Sequence, residues 1–239
     1  MNVFDEMGNY WVEIADQNQT KEQTNLIRNL IKGAGYVLDL ACGSGRHSIS
    51  LSTDGYCMIG LDASRKLLRI AKERSRALSV ILGDMRFLPF KTGAFEAMIS
   101  VDTSFGYLPS EVDDMLSLVE AHRVLTLEGM IVIDVFNRLE LSQKYEGKNN
   151  LTKQKKYHSF ILEQKRSVSE GWLCDSWSIY EKSSNHISFF EHKVRLYFQS
   201  QLQDMLTRAR FEVKRVFGTY NGENFSDTSP RLIFLATAE

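Results

Sequence analysis

The stretch "VLDLACGSGRHS", residues 37–48, decides the fold of this chain. An apolar run, interrupted only by Asp39, leads directly into Gly43 and Gly45. Two glycines behind a buried strand permit a tight turn whose backbone amides can approach a ligand. A helical pattern follows, so the stretch predicts a strand over 36–42, a glycine turn and a helix.

The alternation of strand and helix continues along the chain. Apolar patterns predict further strands at 57–63, 78–83, 95–101 and 130–136, with helices at 64–76 and 111–125. Such alternation is typical of a parallel sheet with helices on both faces. After a helix at 199–210, strands at 212–220 and 231–238 are too close for a helical crossover and should pair antiparallel. We therefore predict an α/β fold with a doubly wound, mostly parallel, Rossmann-like seven-stranded sheet that ends in an antiparallel strand pair.

Three short signals mark helix starts: Thr20 with Gln23, Ser64, and Ser110 with Asp113. The first and third pairs have the spacing of a capping box, in which the two residues satisfy each other's free backbone amides. The helix after Ser110 carries an apolar stripe at helical spacing, formed by Val112, Met115, Leu116 and Val119.

The composition and the apolar pattern of the sequence change from about residue 138. The stretch "QKYEGKNNLTKQKK", residues 143–156, is polar and rich in lysine, and it predicts a solvated connection. Beyond it the alternation of "FFEHKVRLYF", residues 189–198, is typical of a strand. We predict three antiparallel strands within 155–198, inserted into the α/β frame.

Composition narrows the classes of function. The chain has 239 residues, with 29 Lys and Arg against 30 Asp and Glu, so a formal net charge of −1 gives no overall attraction for nucleic acid. Cys42, Cys57 and Cys174 are too few and too scattered for a disulfide framework or a metal site. No segment approaches the roughly 18 apolar residues of a membrane helix, and residues 1–30 lack the features of a signal peptide. We expect a cytoplasmic protein without a metal, a membrane contact or a nucleic-acid partner.

Two carboxylates accompany the glycine turn. Ser48 stands where a dinucleotide-binding G-x-G-x-x-G turn has glycine or alanine, and Asp39, four residues before Gly43, would repel a pyrophosphate. Asp62 closes the second predicted strand 17 residues after Gly45, where a carboxylate can accept both hydroxyls of a ribose. Together these side chains indicate a positively charged ribonucleoside without phosphate, and S-adenosylmethionine is that molecule.

The sequence resembles the class I S-adenosylmethionine-dependent methyltransferases over nearly its whole length. The motifs that carry the resemblance occur in the family's order: "DLACGSG" at 39–45, "GLDAS" at 60–64, "GDMRFLPF" at 83–90, "AMISVDTSFGYL" at 97–108 and "RVLTLEGMIVIDVF" at 123–136. The last departs from the family, because Glu128 and Gly129 stand where Pro-Gly or Gly-Gly is usual. The insert and the ending "GTYNGENFSDTSPRLIFLA", 218–236, are similar to a branch that methylates small molecules and caps the active site with extra strands.

The resemblance implies the parts of a single methyltransferase domain, 1–239. They are an N-terminal lid and helix at 1–35, a cofactor-binding core at 36–137, a β insert over the substrate at 138–198, and a C-terminal completion of the sheet at 199–239. It also implies S-adenosylmethionine as cofactor, S-adenosylhomocysteine as product, and a set of cofactor-binding residues. That set is Asp39, Ala41, Gly43, Gly45, Asp62, Ala63, Asp84, Met85 and Val101. Asp84 would take the adenine amino group, and Met85 would pack on the ring.

The expected reaction is an in-line displacement by an oxygen or nitrogen of a small molecule, for which the protein must align nucleophile, methyl carbon and sulfur. Asp102 and His192 are the first candidates for a base, although an amine with a free lone pair needs neither. Ser104, Tyr107 and Tyr197 are expected to contact the acceptor. His192 and Tyr197 lie on opposite faces of the predicted strand, so at most one reaches the pocket easily.

Other interpretations remain open from the sequence. Tyr10 and Trp11 could form a lid over the cofactor or pack on the sheet. The protein could be an RNA-modifying methyltransferase or a cofactor-binding regulator that uses the lysines of 148–156, or an NAD-dependent oxidoreductase. Exposed edge strands in the insert could pair between subunits and form a homo-oligomer. The sequence leaves open the methyl acceptor and the choice between O- and N-methylation.

Overall fold

The computed structural model describes residues 3–16, 19–147, 151–184 and 186–239. Its centre is a seven-stranded sheet in the order β10-β11-β5-β4-β1-β2-β3. The strands of this sheet are β1 (Tyr36–Leu40), β2 (Cys57–Asp62), β3 (Ser79–Leu82), β4 (Phe95–Ser100), β5 (Leu125–Phe136), β10 (Phe211–Phe217) and β11 (Arg231–Ala238). Strands β1 to β5 pair in parallel, whereas β11 pairs antiparallel with both β5 and β10. The predicted sheet, including its antiparallel end, is confirmed.

The described residues form the helices α1 (Val3–Met7), α2 (Asn9–Asp16), α3 (Thr20–Leu30), α4 (Arg46–Ser52), α5 (Arg65–Arg74), α6 (Glu111–Val124), α7 (Arg138–Tyr145) and α8 (Gln199–Arg208). Helices α3 to α5 cover one face of the seven-stranded sheet and α6 and α8 the other, whereas α1, α2 and α7 pack on the inserted strands. Consecutive residues of one strand belong to different apolar clusters: Val37 packs with α3 to α5, and Leu38 packs with α6 and α8. Side chains alternate across a strand, so burial on both faces explains why these strands are apolar without interruption.

Residues 138–198 differ from the prediction. They hold a four-stranded antiparallel sheet in the order β6-β7-β8-β9, rather than three strands. Its strands are β6 (Leu151–Lys156), β7 (Phe160–Ser169), β8 (Trp172–Glu181) and β9 (Ile187–Arg195). The stretch predicted to be a solvated connection contains the end of α7 and all of β6, while residues 148–150 lie outside the described residues. The side chains of 152–156 are exposed, so β6 pairs through its backbone along β7 without a buried apolar face to reveal it.

Two predictions about helices also need correction. Thr20 is the first residue of α3 and not its cap, since Gln19 occupies the cap position without a side-chain bond and Gln23 is buried. On α6 the predicted stripe faces outward, because Val112 and Leu116 are exposed while Asp114 is fully buried. The predicted caps at Ser64 and at Ser110 with Asp113 are confirmed.

No helix in the described part of the chain combines the length and the apolar character that a membrane crossing requires.

Candidate active site

The turn after β1 is built on left-handed backbone. Ala41, Gly43 and Gly45 have φ angles of 61°, 54° and 76°. Gly45 is the N-cap of α4, and a Cβ added there would lie 2.9 Å from Leu78 Cδ2, so close packing as well as φ explains this glycine. The turn thus brings the backbone of 41–44 to the carboxyl end of the sheet, where open α/β sheets bind their ligands.

Asp62, the last residue of β2, stabilises this turn through hydrogen bonds to its backbone. Its Oδ2 accepts the Gly43 N–H at 2.8 Å, and its Oδ1 accepts the Ser64 N–H at 2.7 Å. Burial raises the pKa of Asp62, and these backbone bonds oppose the rise. The carboxylate also lines the main cavity, and each oxygen can accept a further hydrogen bond.

Asp39 lies behind the turn. Its carboxylate is buried, and Oδ2 accepts the Ser48 hydroxyl at 2.6 Å. Burial raises the pKa of Asp39 to about 6, against the lowering effects of the Ser48 hydrogen bond and the Arg46 charge, while the nearby Asp62 charge adds to the rise. Ser48 was identified in the sequence only as a missing glycine, and the structure shows that its hydroxyl satisfies this buried carboxylate.

A cavity of about 510 Å³ opens beyond the carboxyl ends of β1, β2 and β4. Seven of the nine predicted cofactor residues line it: Ala41, Gly43, Asp62, Ala63, Asp84, Met85 and Val101. Asp39 and Gly45 do not line it, so a direct contact from their side chains is not supported by their placement. We call the part of the cavity lined by these seven residues the cofactor end. The predicted residues Asp102, Ser104, Tyr107 and His192 also line the cavity, and we call their part the acceptor end.

Asp84 sits at the cofactor end beside Arg86. The guanidinium bonds to both carboxylate oxygens, at 2.6 Å from Nη2 to Oδ2 and 3.0 Å from Nε to Oδ1. The Arg86 hydrogen bond lowers the pKa of Asp84, so this carboxylate is ionised at neutral pH. Arg86 also reaches Asp113 at the start of α6, which fixes the segment after β3.

The acceptor end has an aromatic wall. The Phe4 ring lies 5.0 Å from Trp11 and 5.3 Å from Tyr107, and Tyr107 stacks on His192 at 6.2 Å. These rings come from α1, α2, the loop after β4, and β9, and all four line the cavity. The N-terminal helices, the loop after β4 and strand β9 are thus three distant segments of the chain that together enclose one apolar space.

His192 is the titratable side chain of this wall. Its side chain is 7% exposed, Nε2 lies 3.8 Å from Asp175 Oδ2, and the buried Nδ1 has no hydrogen-bond partner among the described residues. Burial lowers the pKa of His192 despite the opposing charge of Asp175, which is itself held by Arg166 at 2.7 Å. The imidazole is therefore neutral at pH 7, and its ring lines the cavity.

Asp102 faces the same end of the cavity, paired with a cation. Arg46 Nη2 lies 2.7 Å from Asp102 Oδ2, and Nη1 donates to Gln23 Oε1 at 2.8 Å and to Thr20 Oγ1 at 2.6 Å. Sequence reasoning missed Arg46, although its position directly after Gly45, at the start of a helix beside the ligand turn, was a usable signal.

Tyr197 is not at the cavity. Its hydroxyl donates to Asp114 Oδ2 at 2.7 Å, and the side chain is buried. The predicted alternation placed His192 and Tyr197 on opposite faces, and of the two it is His192 that lines the cavity. The expected contact of Tyr197 with the acceptor is therefore not supported by its placement. Trp11 lines the cavity and fits the lid interpretation, whereas Tyr10 bonds to Glu181 of β8 and packs on the second sheet.

Comparisons with known proteins agree with this geometry. The family described as a methyltransferase domain matches residues 37–129. "Putative methyltransferase YqeM" of Bacillus subtilis (strain 168) is 24% identical over 98% of this chain and 96% of its own length. The glycine/sarcosine N-methyltransferase of Parasynechococcus marenigrum (strain WH8102) is 33% identical over 59% of this chain and 54% of its own. The S-adenosylmethionine-bound structure of CalS10, an amino pentose methyltransferase from Micromonospora echinaspora, has a TM-score of 0.71 at 16% identity, covering 92% of this chain and 90% of its own.

The chain contains a methyltransferase domain and is an S-adenosylmethionine-dependent methyltransferase. Its cofactor is S-adenosylmethionine, and the alternative of an NAD-dependent oxidoreductase is not supported. The residues of this methyltransferase fit that cofactor, because the Asp62 carboxylate, the backbone of the glycine turn and the apolar side chains Leu61, Met85 and Val101 all line the cavity.

Proposed function

We propose that this methyltransferase transfers a methyl group to the amine nitrogen of a small molecule bound at the acceptor end. The enclosure of that end by α1, α2, the loop after β4 and β9 is the observation that carries the proposal. A space closed by Phe4, Trp11, Tyr107 and His192 suits a compact organic molecule better than a nucleic-acid strand. A relative named for N-methylation of glycine and sarcosine and a structural neighbour named for an amino pentose support an amine as the acceptor.

The cofactor end provides binding groups for each part of the cofactor. S-adenosylmethionine supplies, when bound, an electrophilic methyl group on a positively charged sulfur. Asp62 would accept the ribose hydroxyls, Asp84 would accept from the adenine amino group, and Met85 would pack on the ring. Asp39 acts from behind the turn, where its negative charge favours the ammonium group of the methionine part without a direct contact.

The acceptor end must present an unprotonated amine. The neutral imidazole of His192, which lines the cavity, would take one proton from an ammonium acceptor. The freed nitrogen lone pair would then form the new bond to the methyl carbon as the carbon–sulfur bond breaks and S-adenosylhomocysteine leaves. The aromatic wall also disfavours the charged ammonium by excluding water, which lowers its pKa toward the neutral form. We assign the base to His192 rather than Asp102, because Arg46 already occupies the Asp102 carboxylate.

Ser104 and Tyr107 have different expected parts in acceptor binding. Tyr107 contributes its ring to the wall, and burial raises the pKa of its phenol, so it stays neutral. The Ser104 hydroxyl donates to the Val101 carbonyl at 2.8 Å, which leaves its oxygen as an acceptor of a further hydrogen bond.

The test is a methyl-transfer screen with isotopically labelled cofactor and matched pairs of acceptors. Each amine, including amino acids and amino sugars, is offered beside the alcohol of the same skeleton, and bulk tRNA is included. We expect turnover of one or more amines and little turnover of the paired alcohols. Turnover of alcohols alone, or of tRNA alone, would contradict the proposal.

A variant separates the chemical role of His192 from binding. His192→Gln should lower kcat at least tenfold and remove the acidic limb of the pH profile, because its amide cannot accept the acceptor's proton as imidazole does. His186→Gln, in the exposed turn between β8 and β9, is the matched control and should behave like the wild type. Equal kcat for both variants would exclude His192 as the base.

Two further expectations from the sequence stay predictions. One is the cytoplasmic location, and the other is self-association through the inserted sheet. The exposed Lys153, Lys155 and Lys156 on the edge strand β6 act against pairing of two such edges, since like charges would face each other.

A further inference from the structure

Two consecutive residues at the acceptor end have an uncommon backbone. Asp102 and Thr103 lie one residue beyond the end of β4 and have φ angles of 58° and 62°. This left-handed region is sparsely used by residues other than glycine, and a β-branched residue such as threonine is an outlier there. Both residues line the cavity, so a strained segment forms part of the site. Such strain persists only where the surroundings hold it.

Asp134, on the neighbouring strand β5, holds the backbone of both residues. Its Oδ2 accepts the Asp102 N–H at 2.8 Å, and its backbone carbonyl accepts the Thr103 N–H at 3.0 Å. Asp134 itself does not line the cavity and is 1% exposed. Its contacts therefore act on the site only through the segment that it holds.

Arg231, the first residue of β11, holds the Thr103 side chain. Its Nη2 donates to Thr103 Oγ1 at 2.9 Å, and its Nε donates to Asp134 Oδ1 at 2.8 Å. Tyr220 completes the set by donating its hydroxyl to Asp134 Oδ2 at 2.8 Å. Neither Arg231 nor Tyr220 lines the cavity.

A buried ion pair is weak evidence for stability, because the cost of desolvating two charges offsets much of their attraction. Apolar residues could have filled the space between β5 and β11 at least as well. What an apolar pair could not do is accept the Asp102 N–H and donate to the Thr103 hydroxyl. The value of the pair therefore lies in the conformation that it imposes on its neighbours.

We infer that Asp134 and Arg231 are positioning residues, which hold Asp102 and Thr103 in the left-handed conformation that shapes the reacting end of the cavity. This inference goes beyond the proposed function, because it concerns the geometry of the site and holds for any methyl acceptor.

A second set of contacts restrains the segment from the opposite side. Arg46 of α4 pairs with Asp102 and shares Gln23 with His47, while Gln23 Nε2 donates to the Tyr220 hydroxyl at 3.0 Å. The contacts run from Arg46 through Gln23 and Tyr220 to Asp134. The turn after β1 and the segment after β4 are thereby joined through one buried network.

The experiment uses the full chain and two readouts that need no methyl acceptor. The first is hydrogen exchange of the Asp102 and Thr103 amides. The second is the ¹³C resonance of S-adenosylmethionine labelled at its methyl group and bound to the protein. The variants are Arg231→Lys, which keeps the charge but loses the fork that reaches Thr103, and Asp134→Asn.

We expect the two amides to exchange at least tenfold faster in Arg231→Lys and the bound methyl resonance to move, with cofactor affinity changed less than threefold. Arg123→Lys is the matched control, because Arg123 also joins a carboxylate, Glu120, to a neighbouring loop through the Phe90 carbonyl, away from the cavity. It should leave both readouts as in the wild type.

A pair of substitutions at Thr103 tests whether Arg231 acts through its hydrogen bond to the Thr103 hydroxyl. Thr103→Val removes the hydroxyl at constant shape and should reproduce the faster exchange, whereas Thr103→Ser keeps an acceptor for Arg231 and should not. If Asp134→Asn fails to fold, Arg231→Lys and the two Thr103 variants still test the positioning role. Wild-type exchange and an unmoved methyl resonance in Arg231→Lys would overturn the inference, and this outcome is independent of whether amines are substrates.

Discussion

Asp39 shows how one buried side chain links folding, pH and cofactor binding. It is the carboxylate closest to the start of the glycine turn, and Ser48 of α4 donates to it. The sequence pattern indicated a direct contact with the ligand, but the structure places the carboxylate behind the turn, buried and bonded to Ser48 of α4. Its charge can still act across the turn, since screening is weak in a buried region.

The first residue-scale prediction concerns pH. Burial raises the pKa of Asp39 in the native state to about 6 from its ordinary value of 3.8, so between these values the native state binds more protons than the unfolded state. The free energy of unfolding should therefore fall as pH rises from about 4 to about 6, by up to about 3 kcal/mol from this residue. Urea unfolding of the cofactor-free protein measures it. Asp39→Asn should reduce this fall of the unfolding free energy with pH. An equal fall in both proteins would refute the raised pKa of Asp39.

The second residue-scale prediction concerns Asp62. Asp62→Ala removes the carboxylate that lines the cavity and fastens Gly43 and Ser64, so calorimetry should show cofactor affinity at least tenfold weaker, about 1.4 kcal/mol. Asp54→Ala, a carboxylate paired with Arg28 on the surface, should bind as the wild type does. Unchanged affinity in Asp62→Ala would remove Asp62 from the site.

At the scale of elements, α6 shows where a periodic pattern misleads. Its apolar residues suggested a buried stripe through Leu116, yet that residue is 42% exposed and Leu118 is buried. The other face of the helix points inward because Asp114 meets Arg195, the last residue of β9, and Tyr197, which follows it. Those partners lie about eighty residues away, as the 81-residue separation of Asp114 and Arg195 shows, so no local pattern could reveal them.

The prediction at this scale follows from that orientation. Leu118→Ala should lower the free energy of unfolding by roughly 2–5 kcal/mol through loss of buried contacts and the resulting cavity. Leu116→Ala should change it by less than about 0.5 kcal/mol, as is usual for surface substitutions. Chemical denaturation of the two variants compares them directly, and a larger cost at Leu116 would mean that α6 packs as the sequence pattern suggested.

For the whole molecule, α1 and α2 join its two sheets over the cavity. Asp5 accepts the Ser64 hydroxyl at 2.6 Å and the Lys66 N–H at 3.0 Å, at the start of α5. Glu13 accepts the Ser159 N–H at 3.1 Å, at the start of β7. The N-terminal helices are thus fastened to the cofactor half on one side and to the inserted sheet on the other.

The prediction at this scale concerns cofactor release. Asp5→Ala removes the bonds to α5 and should raise the dissociation rate of the cofactor by up to about tenfold, since ~1.4 kcal/mol corresponds to that factor. Stopped-flow fluorescence of Trp11, which lines the cavity, offers the measurement. Glu6→Ala changes the neighbouring exposed carboxylate and should leave the rate alone. Equal rates in both variants would mean that the α1 contact does not control release.

The sequence by itself predicted the central sheet, its antiparallel end and the glycine turn, and through the family resemblance it pointed to seven residues that line one cavity. Each of these depends on short-range signals: burial on both faces makes a strand apolar, a turn needs glycine, and the family motifs lie at or just after the ends of successive strands. Only the tertiary structure decided how Phe4 and Trp11 close the acceptor end, the fourth inserted strand, the placement of Tyr197 and the buried pair of Asp134 and Arg231. The physical reason is that Phe4, Tyr107 and His192 meet only when three distant segments pack together, and the direction of a polar side chain depends on partners that no local pattern records.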